Sequence, residues 1–237
     1  METKKLSLLE HLTELRRRLI ISLVALFLGM LFSFTFLQDL LFNLVNNPLR
    51  KLGLELVALS VTEGFLLQLK IALLGGLLIS SPIILWQIIA FVLPALYENE
   101  RKIGGFLFVS GLCLFVLGII FAYQVVLELG LRFLLIEFGA GLIPFLSASK
   151  YLSFLLGFLV PFGLVFEIPL VVYLLTKAGI LTPQILRKKR RYVILLIFIL
   201  AAFLTPPDVF SQILLALPML VLYEVSILLA VLVKKRT

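Results

Sequence analysis

Long charge-free runs alternate with short clusters of lysine and arginine along this chain. A helix rising 1.5 Å per residue needs roughly 20 apolar residues to cross about 30 Å of hydrocarbon. Six segments meet or approach that length: 19–37, about 65–93, 103–127, about 151–176, 192–204 and about 211–233. The pattern predicts an all-α, polytopic membrane protein with six transmembrane helices, a single integral membrane domain over residues 1–237. The fifth segment has only thirteen residues before Thr205-Pro206-Pro207-Asp208. Thirteen residues make about 20 Å of helix, and two prolines without an amide donor force a turn there. A re-entrant hairpin would account for this. A short full crossing, with local bilayer thinning, is preferred.

Two stretches between the runs, 38–64 and 128–150, are too rich in Leu and Phe for free loops. They predict short amphipathic helices capping the outer ends of the spans. At the N-terminus, Ser7 and Glu10 form a capping-box pattern. Leu8, Leu12, Leu15 and Leu19 then fall on one helix face, so an amphipathic helix leads into the first span.

Charge orients the array. With both termini inside, sixteen of the 21 Lys and Arg residues lie in cytoplasmic pieces, and only Arg50, Lys51, Arg132 and Lys150 lie in outer loops. That asymmetry is the positive-inside pattern. It also explains the net charge of +8 without a nucleic-acid partner, since the basic residues cluster between apolar runs rather than forming a groove. Composition agrees: 62% of residues are hydrophobic, 14% are charged, and the mean hydropathy is +1.19. Soluble domains have roughly 45–50% apolar and 25% charged residues. The first apolar run is long and lacks a small-residue cleavage site, which argues against a cleaved leader. The single cysteine, Cys113, reads as a small buried hydrophobe.

Enzyme chemistry lacks its parts. The sequence has one histidine, His11, and none of the metalloprotease, nucleophile-elbow, phosphate-loop or dinucleotide motifs. No metal or cofactor is expected. The informative residues are acids. On the cytoplasmic side Glu14 and Glu100 stand among many cations, and carboxylates from two segments can grip planar guanidinium groups in a way lysine cannot copy. The plainer readings are an ion pair of Glu14 with Arg17 or Arg18, and a solvated loop acid beside Arg101. Glu167, in Phe166-Glu167-Ile168-Pro169, falls near mid-membrane. An ionised group there costs about 2.5–3.5 kcal/mol on insertion scales, so it should face a wet cavity, be protonated or meet a polar partner. Glu224, nearer a cytoplasmic end, reads equally well either way. Thr205, Asp208 and Gln212 form a polar cluster at the last turn, where turn preference alone explains Asp208. Lys70 is close enough to a helix end to snorkel.

Several segments, in order, resemble one family. They are His11-Leu12-Thr13-Glu14-Leu15-Arg16-Arg17-Arg18-Leu19, Asn47-Pro48-Leu49, Ser81-Pro82-Ile83-Ile84-Leu85-Trp86-Gln87, and the run from Phe91 through Pro94-Ala95-Leu96-Tyr97 to Glu100-Arg101. After them come Tyr151-Leu152-Ser153-Phe154, Phe166-Glu167-Ile168-Pro169, Leu186-Arg187-Lys188-Lys189-Arg190 and Thr205-Pro206-Pro207-Asp208-Val209-Phe210-Ser211-Gln212. Together they resemble TatC, the core subunit of the twin-arginine protein translocase. The resemblance implies recognition of a paired-arginine signal peptide on folded cargo, with Glu14 and Glu100 receiving the arginines and Arg16 and Phe91 nearby. It implies that Glu167 is the family's intramembrane acid on a concave face, and that Pro48 belongs to an outer cap. It implies that Thr205 and Gln212 lie where single-span TatA-type and TatB-type partners pack, in a self-associating complex driven by the proton gradient across a prokaryotic inner membrane. The acidic tail of some relatives is replaced here by Lys234-Lys235-Arg236-Thr237.

A folded 100-residue cargo has a radius of gyration of about 13 Å, too large for six helices to enclose, so such a chain is a receptor and organiser rather than a pore. Two rivals stand beside it. A proton-coupled small-solute secondary transporter would use Glu167, but inverted repeats are not evident. A scaffold would hold partner spans without reading a signal.

Overall fold

The computed structural model describes residues 8–96, 101–137, 139, 145–204 and 209–234. Nearly all of them are helical. In chain order the helices are α1 (Leu8–Phe32), α2 (Gln38–Lys51), α3 (Glu63–Leu96), α4 (Arg101–Phe121), α5 (Leu127–Leu131), α6 (Ala148–Val165), α7 (Ile168–Lys177), α8 (Pro183–Leu204) and α9 (Val209–Lys234). Wide π turns at Ser33–Leu37, Ala122–Val126 and Arg132–Glu137 interrupt the helical runs. Two short strands, β1 (Leu56–Val57) and β2 (Leu146–Ser147), pair in parallel.

Among the described residues, five helical stretches are long and apolar enough to cross a bilayer: Leu12–Lys51, Glu63–Val92, Gly104–Glu137, Ala148–Lys177 and Val209–Lys234. The protein is therefore a multi-pass membrane protein. The remaining long helix, α8, has 22 residues, but five consecutive basic residues, 187–191, fill its first half. Only the part after Arg191 is apolar. The helix begins where expected for its chemistry, with Pro183 in the first turn and the Ile185 amide donating to Thr182 Oγ1 at 3.3 Å.

The segments expected to cap the outer ends are helical in large part, yet they grow out of the spans. A π turn carries α1 straight into α2, and α4 continues through α5 to Glu137. An amphipathic segment that follows an apolar helix without a helix breaker costs least when it extends that helix, because no new nucleus has to form.

The chain divides into two compact units, Met1–Leu41 with Ile71–Leu112, and Phe42–Lys70 with Cys113–Thr237. In the first unit, α1 and α3 meet backbone to backbone. A Cβ on Gly76 would stand 2.7 Å from the Met30 nitrogen, and one on Gly29 would stand 2.8 Å from the Gly76 carbonyl oxygen. In lipid no hydrophobic effect drives helices together, so close approach through small residues supplies the packing. On α4, Phe108 meets Trp86 of α3 edge to face at 5.5 Å between centroids.

In the second unit, β1–β2 and a buried acid tie the polar ends together. Glu63, 4% exposed, accepts from the Ser147 hydroxyl, the Ser149 amide at 3.0 Å and the Leu59 amide at 2.5 Å. Buried carboxylates persist when charge-assisted bonds satisfy their oxygens, and these bonds do so. Helix α9 packs on both α7 and α8, and the buried Tyr223 hydroxyl of α9 donates to the Leu186 carbonyl of α8 at 2.8 Å.

Candidate functional site

Glu14 lies on α1 one turn before Arg18, and the two are paired. Arg18 donates to the Glu14 Oε1 from Nε at 3.0 Å and from Nη2 at 2.5 Å. An acid four residues before its basic partner is the favourable order on a helix. Of the plainer readings of Glu14, the structure realises the one with Arg18. The same guanidinium reaches α3, where Nη1 donates to the Gln87 Oε1 at 3.4 Å. Phe91 is four residues further along α3 and so lies on the Gln87 face; it is partly buried. Arg16 is exposed on α1. The Arg18–Gln87 bond thus joins the helix that carries Glu14 and Arg16 to the one that carries Phe91. Glu100 lies outside the described residues.

The pair is partly buried. Side-chain exposure is 21% for Arg18 and 28% for Glu14, which leaves the pair open to water and to exchange of partners. Exposed pairs are worth about 0–1 kcal/mol, and this one keeps enough exposure to be screened in part.

Glu167 stands where the helix breaks. Pro169 lacks an amide donor, α6 stops at Val165 and α7 starts at Ile168. The Glu167 amide bonds to the Leu164 carbonyl at 3.1 Å, the tighter three-residue spacing of a helix end. The partly buried side chain has no hydrogen-bond partner for Oε1 among the described residues. Phe166, its neighbour in the chain, packs with Phe121 and Phe162, the three ring centroids lying 5.6 to 6.5 Å apart. A buried carboxylate oxygen without a partner is costly.

Gln212, near the start of α9, donates from Nε2 to the Phe198 carbonyl of α8 at 3.0 Å, so it helps to join those two helices. Thr205 and Asp208 lie outside the described residues. Pro48 sits inside α2 and cannot donate to the carbonyl four residues back, that of Leu44. The Tyr123 hydroxyl takes that place, donating to the Leu44 oxygen at 2.7 Å. Pro48 and Tyr123 also line an open cleft of about 480 Å³ with Asn47, Lys51, Glu128 and Arg132.

Comparison with known proteins follows the same outline. Residues 10–218 match the family model of the Sec-independent protein translocase protein (TatC). This chain belongs to the TatC family. It is similar to the Sec-independent protein translocase protein TatC of Carboxydothermus hydrogenoformans, with 46% identity over 100% of this chain and 97% of that one. It is 42% identical to the Aquifex aeolicus protein, covering 97% of this chain and 96% of the relative. Among solved structures it resembles one described as the crystal structure of the twin arginine translocase receptor TatC. The TM-score is 0.86 at 42% identity, covering 95% of this chain and 100% of that chain. The family is one of protein translocase components in the Tat pathway and not a family of enzymes.

Within this TatC-family chain, the structure also shows what the linear pattern hid. Lys70 does not snorkel. Its ammonium group donates to the Ser149 carbonyl at 2.9 Å, the Ser149 hydroxyl at 2.6 Å and the Ser153 hydroxyl at 2.7 Å. The signal for this cage was the serine pair one turn apart at the start of α6, which has meaning only once α3 lies beside it. Cys113 is exposed rather than buried; on a membrane helix an outward position faces apolar solvent, so a small apolar residue is not driven inward. Glu224 pairs with Arg190 at 2.7 Å, both about half exposed. Gln87 is the residue near the site whose role the sequence left unassigned.

Proposed function

We propose that this chain is the signal-reading core subunit of a twin-arginine translocase. Glu14, with Glu100, receives the paired arginines of a signal peptide on folded cargo at the cytoplasmic face, and Arg16 and Phe91 border the site. The observation that carries this reading is Glu14 itself, whose Oε1 takes two nitrogens of one guanidinium in the resting chain. An ammonium group offers no such fork, so the arrangement favours arginine over lysine. The chain acts as one integral membrane domain with six crossings and both termini in the cytoplasm of a prokaryote. The apolar half of α8 makes the short crossing. Glu167 serves as the intramembrane acid. Thr205 and Gln212 border the surface for TatA-type and TatB-type single-span partners, and Pro48 and Asp208 shape the outer cap and last turn. Self-association and the proton gradient complete the export cycle.

Photo-cross-linking from positions 14, 91 and 100 to an Arg-Arg signal peptide, with Lys-Lys as the comparison, tests the site. Cross-links that form with Arg-Arg, fade with Lys-Lys and weaken in E14A and E100A support it. Equal labelling by the two peptides, or labelling that E14A and E100A leave intact, rules it out.

A further inference from the structure

The acid assigned to a signal arginine already holds one. Both Arg18 bonds land on the same Glu14 oxygen, the pairing is local to one helix turn, and Gln87 anchors the third guanidinium nitrogen from α3. We infer that Arg18 is the resident ligand of Glu14, an intramolecular guanidinium that an incoming signal arginine must displace, and that it thereby sets the affinity threshold of the site. The inference rests on the reading of Glu14 given above.

Three features make Arg18 a displaceable occupant rather than a permanent brace. The pair keeps 21% and 28% exposure, so it is screened in part, and breaking it costs on the order of 1 kcal/mol, the upper end for an exposed pair and about fivefold in an equilibrium constant. The incoming group is chemically the same as the outgoing one, so Glu14 keeps a guanidinium throughout the exchange. Gln87 gives the released group somewhere to stay, because its bond to Nη1 uses a nitrogen that Glu14 does not engage.

The thermodynamics of such an occupant are specific. A site competent for only a fraction of the time raises the apparent Kd of every ligand by the inverse of that fraction. Arg18 therefore weakens Arg-Arg and Lys-Lys peptides by one common factor. The ratio between them stays with the geometry of Glu14, and the common factor keeps weak binders below occupancy at working concentrations.

The test uses the full chain in lipid nanodiscs and a fluorescent peptide carrying Arg-Arg ahead of an apolar stretch, with its Lys-Lys counterpart, read by anisotropy. R18Q is expected to tighten both peptides about two- to fivefold, the factor set by an exposed pair, with their ratio unchanged. R18K, which keeps the charge but loses the fork, tightens them less. R17Q removes an equal charge one residue away and serves as the control for general repulsion; it should change binding less than R18Q does. Weaker binding in R18Q overturns the inference, because Arg18 would then be positioning Glu14. Equal tightening in R17Q and R18Q overturns it as well. Should R18Q fail to assemble, tightening in R18K supports the proposal and weakening in R18K refutes it. E14Q separates the two levels: if E14Q binds Arg-Arg as the parent does, the site reading itself fails. If E14Q weakens binding while R18Q does not tighten it, only the resident-ligand inference fails.

Discussion

Pro48 and Tyr123 form a pair whose energetic coupling can be worked out from one carbonyl. The helical partner of the Leu44 oxygen would be the amide of residue 48, which proline lacks. The Tyr123 hydroxyl donates to it instead at 2.7 Å. Removing that hydroxyl by Tyr123→Phe deletes this bond together with the one to the Asn47 side chain and leaves the Leu44 acceptor unpaired, which costs about 1–2 kcal/mol. In a Pro48→Ala background the new amide closes the helical bond to Leu44, and the hydroxyl keeps only its bond with the Asn47 side chain. There Tyr123→Phe should cost about 0.5 kcal/mol or less, the low end for a single net hydrogen bond. The expected coupling is therefore about 0.5–1.5 kcal/mol, above the roughly 0.3–0.5 kcal/mol within which independent sites add. Unfolding the four proteins with SDS in mixed micelles, followed by far-UV circular dichroism, measures it. An equal cost of Tyr123→Phe in both backgrounds would show that Tyr123 does not stand in for the missing amide.

Two further outcomes follow from packing and from the orphan acid. Gly76→Ala places a methyl group 2.7 Å from the Met30 backbone and should destabilise by about 1–3 kcal/mol through overpacking. Gly105→Ala, on α4 with nothing within 4 Å of the added carbon, should be neutral or stabilising by up to about 1 kcal/mol; equal melting shifts for the two variants would contradict the close α1–α3 approach. Glu167→Leu removes a partly buried acid whose Oε1 lacks a partner among the described residues and should raise stability by about 1–2 kcal/mol while lowering export of a twin-arginine reporter. A lower melting temperature in Glu167→Leu would mean that the acid supports the fold rather than the function.

Much of the fold was legible because lipid imposes a simple requirement. Every backbone polar group in hydrocarbon must be satisfied within its own segment, so length and hydropathy alone mark spanning helices. The apolar run ending before Thr205 has only thirteen residues, and α8 shows the reason in the five basic residues that precede it. Glu14 and Glu167 stood out for a related reason, since charge is rare in this chain and each acid demands an explanation. Arg18, Gln87 and Lys70 were harder to place. A cation at a helix end can go to water, to a neighbour on its own helix or to another helix, and these choices differ by only a few tenths of a kcal/mol to about 1 kcal/mol on the scale of exposed pairs.

Hydropathy and charge, read along the chain, determined that the protein lives in a membrane, where its helices run and which acids needed accounting for. Both properties belong to single residues and to a solvent with a fixed thickness. The tertiary structure decided which groups meet across helices: Arg18 between Glu14 and Gln87, Lys70 among the serines of α6, and Tyr123 on the carbonyl that Pro48 leaves without its helical partner. Those pairings depend on the rotation and register of each helix against its neighbour. Close contacts at particular glycines set that register, and no one-dimensional pattern encodes it.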